Sequence, residues 1–131
     1  MSDADVLNTE MRERVFARLI RRRAEESGDK PFLLFEEQSF SFRDADTISN
    51  RLANGLLAAG IGKGDKVSLL LENRPETIWL HFALAKIGAL PVPINTAARG
   101  DLLSYYVTNS DSTAMIVEAE HVRRYLEVRG A

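Results

Sequence analysis

Apolar positions recur every three or four residues in several segments of the chain, which is the spacing of a helix with a buried face. The pattern predicts five helices, at residues 8–27, 45–59, 76–87, 101–108 and 120–128. The first two carry a single apolar stripe. The third is apolar on nearly all sides, so we expect it to be largely buried, with Trp79 in the core rather than stacked on a ligand.

Short apolar runs predict five strands, at residues 32–35, 40–42, 67–71, 90–94 and 114–117. The first two flank a short polar turn and indicate a hairpin. The continuous apolar run at 67–71 is typical of a parallel strand that is covered on both faces. Pro91 and Pro93 lie two residues apart, so their missing donors point the same way, which predicts an edge strand for residues 90–94.

The last three strands alternate with helices through short connections, an order that implies right-handed crossovers. We therefore expect an α/β fold, a three-layer sandwich with a short, mostly parallel sheet. An N-terminal helix and the small hairpin are added to it. The predicted division is an N-terminal helix at residues 1–29 and an α/β subdomain at residues 30–131.

Polar residues at the helix starts predict particular caps. Ser41 and Asp44 have the spacing of a capping box. Asn73 is expected to cap the third helix, with Pro75 in its first turn. On the second helix, the face that carries Ser49 is expected to point to solvent.

Gly60, Gly62 and Gly64 suggest a phosphate-binding loop, but such a loop requires a strand before the glycines and a helix after them. Here a helix precedes them and a strand follows. They are therefore interpreted as a left-handed helix cap and a tight turn, in which Lys63 is a turn residue.

Composition narrows the classes of function. The chain has 131 residues, 45% hydrophobic, with a formal charge of −2 and no cysteine. One domain with a real core is expected. Nothing supplies the basic surface that nucleic acid or an anionic bilayer would need. Thiolate metal sites, disulfides and cysteine nucleophiles are excluded. The N-terminus is acidic and the longest apolar stretch contains His81 and Lys86, so we expect no secretory signal, no transmembrane segment and a cytoplasmic protein.

Ligands of α/β sheets bind beyond the carboxyl ends of the strands, near the point where strand order reverses. This rule selects Glu72, Asn73, Asn95, Thr96, Ala97 and Glu118.

Asn95 is the best candidate for ligand contact because its amide offers both a donor and an acceptor. The alternative is a turn in which Asn95 bonds its own backbone. His81 could act as a base, although a structural histidine is favoured. Arg123 and Arg124 lie at the start of the last helix, where the dipole disfavours a cation, so a bound anion or a carboxylate partner is considered for them. Arg123 is the candidate for ligand contact. We predict neither a catalytic residue nor a metal site in this chain.

Several short motifs follow one another in an order that resembles a known family. They are DKPF (29–32), FSFRD (40–44), SNRLA (49–53), GIGKGDKV (60–67), NRPE (73–76), LAKIGALPVPIN (84–95) and NSDS (109–112). Together they resemble the N-terminal part of an adenylate-forming (AMP-binding) acyl-CoA synthetase or ligase. Residues 94–103 look most like the branch of carnitine-CoA ligases and fatty-acid-transport-type acyl-CoA synthetases.

The resemblance implies that the parent enzyme activates a carboxylic acid, fatty or carnitine-like, with ATP and Mg²⁺ and passes the acyl group to CoA. It also implies CoA contacts at Asn95, Thr96 and Arg123, although Thr96 and Ala97 replace glycines found in acetyl-CoA-type relatives. The family's phosphate loop and its mobile C-terminal domain with the catalytic lysine have no counterpart in these 131 residues. We therefore expect a non-catalytic piece of a larger ligase.

Such a piece would have the remainder of the ligase as its partner and would self-associate through apolar faces that the parent covers, around residues 91–95. The alternative is a free-standing flavodoxin-like binding module or a pure interaction domain. A receiver-like module would need an acid closing a middle strand, and Ile94 and Asn95 supply none.

Overall fold

The computed structural model of the protein describes residues 15–129, so the first part of the helix predicted at residues 8–27 lies outside the described residues. The helices are α1 (Phe16–Ser27), α2 (Phe42–Ala58), α3 (Pro75–Ile87), α4 (Gly100–Asn109) and α5 (Val122–Val128). The strands are β1 (Pro31–Phe35), β2 (Gln38–Ser41), β3 (Lys66–Leu70), β4 (Leu90–Pro93) and β5 (Ala114–Val117). A 3₁₀ turn, Ala119–His121, precedes α5. Between residues 15 and 129, no helix is both long and apolar enough to cross a membrane.

The parallel sheet has the strand order β4-β3-β5, with β3 at its centre. The separate β1–β2 hairpin is antiparallel. Leu90 and Ile94 donate their backbone N–H groups towards the β3 side, to Asp65 O at 2.7 Å and Leu69 O at 2.8 Å. Because successive backbone groups alternate in direction along a strand, Pro91 and Pro93 fall on the opposite, outer side of β4. The predicted edge strand is confirmed.

Helices cover both faces of the sheet. Successive side chains of β3 point to opposite faces, and on each face they pack against a different set of helices. Val67 and Leu69 belong to a core cluster with Leu84 of α3, against which α2 also packs. Leu70 packs on the other side with Leu103 of α4 and with Val128 of α5. The three-layer α/β sandwich predicted from the sequence is confirmed.

An aromatic cluster joins α1 and the hairpin to α3. We define the aromatic cluster as Trp79 with the phenylalanines around it, namely Phe16, Phe32, Phe40, Phe42 and Phe82. Trp79 is 3% exposed and its ring lies 5.3 Å from that of Phe40 and 6.0 Å from that of Phe82. The placement of Trp79 in the core is confirmed.

The exposed face of α1 is lined by ion pairs within the helix. Arg22 donates to Glu26 at 2.8 Å, and this hydrogen bond holds the pKa of Glu26 below its ordinary value. Arg21 lies 3.4 Å from the carboxylate of Glu25, one turn along the same helix. These arginines are part of a solvated helix face.

The start of α2 follows the sequence prediction. Ser41 Oγ accepts from the Asp44 N–H at 3.0 Å, while the Asp44 carboxylate accepts from the Ser41 N–H at 2.9 Å, which completes the capping box. The prediction for Ser49 is wrong, because this residue is fully buried. Its hydroxyl donates to Ala45 O at 2.5 Å, and the helix backbone thus satisfies the polar group without water.

Part of the polar face of α2 packs against α3, and the rest of that face points to solvent. Lys86 Nζ donates to Asp46 Oδ1 at 2.6 Å and to Asn50 Oδ1 at 2.6 Å. The side chains of Lys86 and Asp46 are only 8% and 18% exposed. A charged contact is therefore built into the α2–α3 packing.

The start of α3 differs by one residue from the prediction. Arg74, not Asn73, is the N-cap, and its side chain makes no capping hydrogen bond. Pro75 occupies the first turn as predicted. Thr77 lies within that turn and donates its hydroxyl to Glu72 O at 2.6 Å, which ties the start of the helix to the end of β3.

The glycine-rich segment after α2 forms turns, as predicted. Gly60 and Gly64 have φ values of 91° and 86°, in the left-handed region that favours glycine. Asp65 closes the turn by accepting the Gly62 N–H at 2.8 Å. Gly88 caps α3 with a φ of 75°.

Candidate functional site

The carboxyl ends of β3, β4 and β5 meet at one edge of the sheet, where the strand order reverses. The connection after β3 leads to α3 on one face, whereas the connections after β4 and β5 lead to α4 and α5 on the other face. An open crevice is expected between connections that diverge in this way. The polar residues selected from the sequence lie at this edge.

Glu72 follows β3 and binds both neighbouring connections. Its backbone N–H donates to Glu118 Oε1, after β5, at 2.7 Å. Its own Oε2 lies 3.5 Å from the hydroxyl of Thr96, after β4. The ends of all three strands are thus joined through one residue.

His121 continues these contacts. The side chain of His121 is 10% exposed, and its Nε2 lies 2.9 Å from Glu72 Oε1. Its Nδ1 lies 2.5 Å from Nη2 of Arg124. A guanidinium only donates, so Nδ1 must accept, and the neutral ring carries its proton on Nε2 and donates it to Glu72.

Arg124 completes the arrangement from the first turns of α5. Its Nη1 donates to Thr96 O at 2.6 Å and to Ala98 O at 3.1 Å. We call this set of hydrogen-bonded residues the strand-exit network; it consists of Glu72, Thr96, Glu118, His121 and Arg124. No buried side-chain polar atom among residues 15–129 lacks a hydrogen-bond partner, so every buried polar atom of the network is satisfied.

A cleft of about 370 Å³ lies beside the network, between the ends of β3 and β4 and the start of α3. Leu69, Leu71 and Ile94 line its apolar part, and its polar lining includes Asn95 and His81. Nδ1 of His81 lies 2.8 Å from Thr77 O, a carbonyl that can only accept. Neutral His81 is therefore protonated at Nδ1, and its Nε2 carries the lone pair.

The structure brings two of the three predicted ligand residues to this cleft. Asn95 is exposed and its Oδ1 accepts the Ala97 N–H at 2.9 Å, the local turn that was the alternative interpretation. Thr96 is half-buried and held by the network. Arg123 is exposed and, among residues 15–129, makes no hydrogen bond or ion pair.

Sequence reasoning considered both arginines but chose Arg123 over its neighbour Arg124, and it missed the role of His121. Both arginines sit at the same helix start, and only the direction of the side chain separates them. The available signal was the pair of strand-exit carboxylates, Glu72 and Glu118, which need cationic or donor partners when they are brought together.

Glu72, Glu120 and His121 offer ligand atoms within 4.8 Å of one another, close enough for one metal ion. Positive charge is already present there, however. Arg74 lies 3.4 Å from Glu118 and 3.8 Å from Glu120, and Arg124 binds the ring of His121. This cluster is better described as a hydrogen-bonded ion network than as a metal centre.

A family model for AMP-binding enzymes matches residues 20–130. The chain belongs to the AMP-binding enzyme family. This match covers the whole sheet, the strand-exit network and the cleft. It does not favour a stand-alone flavodoxin-like module.

Individual AMP-binding enzymes agree with this assignment. The crotonobetaine/carnitine–CoA ligase of Salmonella paratyphi A is 40% identical over 111 residues, which are 81% of this chain and 22% of that protein. A fatty acyl CoA synthetase of Mycobacterium tuberculosis superposes with a TM-score of 0.85 and 28% identity, over 93% of this chain and 25% of that one. The N-terminal domain of FACL13, from the same organism, gives a TM-score of 0.81 and 30% identity, over 88% of this chain and 30% of that one.

The chain spans about a fifth of the length of the curated relatives it matches. The likeness therefore shows the family and the fold of this segment.

Proposed function

We propose that this chain forms part of an AMP-forming acyl-CoA ligase. Such an enzyme activates a carboxylic acid with ATP and then transfers the acyl group to the thiol of CoA. The observation that carries the proposal is the family match over residues 20–130 together with 40% identity to a crotonobetaine/carnitine–CoA ligase. In this proposal the carboxylic acid is fatty or carnitine-like, the enzyme is cytoplasmic, and its cofactors are ATP, Mg²⁺ and CoA.

The role of the 131 residues within the ligase is to bind and position, not to catalyse. The side chains gathered at the strand ends are carboxylates, an imidazole and guanidiniums that satisfy one another. The strand-exit network, which lies within the described residues 15–129, contains no serine that could act as a nucleophile next to His121. Residues 30–131 are proposed as the α/β subdomain, with residues 1–29 added to it as an N-terminal helix.

CoA contacts are proposed at Asn95, Thr96 and Arg123. Asn95 and Arg123 are exposed, so both side chains are accessible to a ligand. Arg124 holds the backbone of Thr96, so α5 and the turn after β4 act as one unit. A phosphate of the CoA nucleotide is the group that Arg123 would bind.

A chimaera tests the function of this segment. Residues 20–130 would replace the matching segment of the Salmonella ligase, and acyl-CoA formation from carnitine, ATP and CoA would be measured. We expect activity within about tenfold of the parent, since the segment supplies structure and CoA contacts. A folded chimaera without activity would contradict the proposal, provided that a chimaera with the equivalent segment of the mycobacterial synthetase is active.

The chain alone is expected to show no ATP–pyrophosphate exchange with any carboxylic acid. The reason is that the phosphate loop and catalytic lysine of the family have no counterpart in these residues. Exchange by the purified chain, retained through successive purification steps, would contradict the proposal of a non-catalytic role.

Self-association of the isolated chain is also proposed, with the remainder of a ligase as the natural partner of the same surfaces. Large side chains are exposed beside the sheet edge and on α4 and α5, namely Leu90, Leu102, Tyr105 and Leu126, at 51–57%. Burial of apolar surface contributes roughly 25 cal/mol per Å². Sedimentation equilibrium should show a dimer, and a monomer at high concentration would contradict it.

A further inference from the structure

Two side chains reach the turn after β4 from other elements: Glu72, whose Oε2 lies 3.5 Å from the Thr96 hydroxyl, and Arg124, which binds the backbone of the turn. Thr96 and Ala98 present their carbonyls to Nη1 of Arg124, at 2.6 and 3.1 Å. Within the turn, Asn95 Oδ1 accepts the Ala97 N–H and Asn95 O accepts the Ala98 N–H. Arg124 thus joins the carbonyls of this turn to α5 by hydrogen bonds, in addition to the core packing of Ala98.

Arg124 is in turn oriented by His121. The long arginine side chain has many rotamers, and each further hydrogen bond to its planar guanidinium restricts them. Nη2 of Arg124 donates to Nδ1 of His121, and Nε2 of His121 is fixed by Glu72. A chain of three contacts therefore leads from the end of β3 to the turn after β4.

This chain of contacts requires a neutral imidazole. When His121 is protonated, Nδ1 becomes a donor and faces the donor Nη2 of Arg124, with two positive charges side by side. The contact to Glu72 remains and becomes a salt bridge. Protonation therefore keeps the ring in place and displaces the arginine.

We propose that His121 and Arg124 are positioning residues, and that neutral His121 holds Arg124 on the turn at residues 95–98 whereas protonated His121 releases it. The consequence for CoA binding at Asn95 and Thr96 rests on the proposed function; the contact itself does not.

Charged groups from three parts of the chain surround the ring of His121. Glu72 faces it from the connection after β3, and Glu120 of its own 3₁₀ turn lies 3.8 Å from Nε2. Arg124 faces it from α5, and Arg74 lies behind the carboxylates of Glu118 and Glu120. Two carboxylates lie on the Nε2 side of the ring, and a guanidinium lies on its Nδ1 side. A positive charge on the ring therefore attracts Glu72 and Glu120 and repels Arg124.

Nuclear magnetic resonance of the full 131-residue chain tests the proposal. The chain has only two histidines, His81 and His121, so imidazole titrations can be assigned by substitution. Between about pH 8 and pH 5, the range in which imidazoles commonly change charge, the ring of His121 and the amides of Thr96, Ala97 and Ala98 should shift with one common midpoint. A ring that keeps one protonation state over this range would overturn the proposal.

Matched variants identify the pathway. His121→Gln should remove the titration of the turn, while His81→Gln, beside the same cleft, should leave it unchanged. In Arg124→Ala, His121 should still titrate but the turn should no longer follow it, whereas Arg123→Ala should behave as the unmodified chain.

The outcome against the proposal is a turn that continues to follow His121 without Arg124, or that follows His81. Neither result depends on whether the protein binds CoA. A failure here with an active chimaera would therefore reject the positioning role and leave the proposed function intact.

Discussion

The aromatic cluster around Trp79 and the strand-exit network are built from opposite materials. The cluster joins α1, the hairpin and α3 through rings at centroid distances of 4.4 to 6.2 Å, without a charged group among its members. The network joins three strand ends through charged and polar groups, each with a partner. One region consists of buried and half-buried rings, and the other lies beside an open cleft.

The difference teaches how this fold separates stability from ligand contact. Burial of large apolar side chains supplies free energy of folding in proportion to area. A network of partly exposed ions supplies little net stability, because each ion loses hydration when it is paired. Such a network instead fixes the relative positions of the groups that it joins. Here it fixes the backbone of the turn at residues 95–98.

The largest effect is expected from Trp79→Ala. Removal of this ring leaves a cavity among Phe32, Phe40 and Phe82, so the free energy of unfolding should fall by roughly 3–5 kcal/mol. Chemical denaturation measures this change. Trp79→Phe, which retains an aromatic ring, is the matched control and should lose less. A loss below about 1 kcal/mol for the alanine variant would break the comparison, since the cluster would then not be the stabilising region.

A smaller effect is expected from the largely buried ion pair of Asp46 and Lys86 between α2 and α3. Asp46→Ala leaves the buried ammonium of Lys86 with Asn50 Oδ1 and the backbone carbonyl of residue 46 as its acceptors. The free energy of unfolding should fall by about 1–3 kcal/mol, the usual cost of an undercompensated buried polar group.

The double variant Asp46→Leu with Lys86→Met is the control for this prediction. Replacement of both ions by apolar groups of similar size is often neutral. The double variant should therefore recover most of the loss measured for Asp46→Ala. If it is as unstable as Asp46→Ala, the ion pair contributes more than compensation of its own burial.

The regular parts of the fold could be predicted from the sequence because they depend on local patterns. Periodicity gave the helices and strands, Ser41 and Asp44 gave the capping box, and Pro91 and Pro93 gave the edge strand. Ser49 was misplaced because a hydroxyl can satisfy itself on its own helix, a possibility that a count of polar positions ignores.

The site could be predicted only in outline. The rule on carboxyl ends of strands located Glu72, Asn95 and Glu118 correctly at one edge. It could not pair Glu72 with His121, which lies 49 residues away, or choose Arg124 over Arg123. Such contacts depend on which way a side chain leaves its helix, and the sequence does not carry that information locally.

The capping box sharpens the comparison at the boundary of the apolar region. Ser41→Ala removes the acceptor of the Asp44 N–H at the start of α2, so about 1 kcal/mol of stability should be lost. Denaturant titration checks this value. Ser41→Thr retains the hydroxyl and should restore most of the loss, and failure to do so would mean that the effect does not arise from the cap.

The smallest effect is expected from Arg74→Ala, at the polar edge. Arg74 is 55% exposed and lies 3.4 Å from Glu118 and 3.8 Å from Glu120, so solvent screens both contacts. Glu118 keeps the hydrogen bond from the Glu72 N–H when the arginine is removed. The free energy of unfolding should therefore change by less than about 1 kcal/mol. Arg21→Ala, which removes an exposed ion pair on α1 remote from the strand ends, is the matched control and should have a similarly small effect. A loss above about 2 kcal/mol for Arg74→Ala alone would show that the polar edge stabilises the fold as a packed region does, because an exposed ion pair cannot contribute that much.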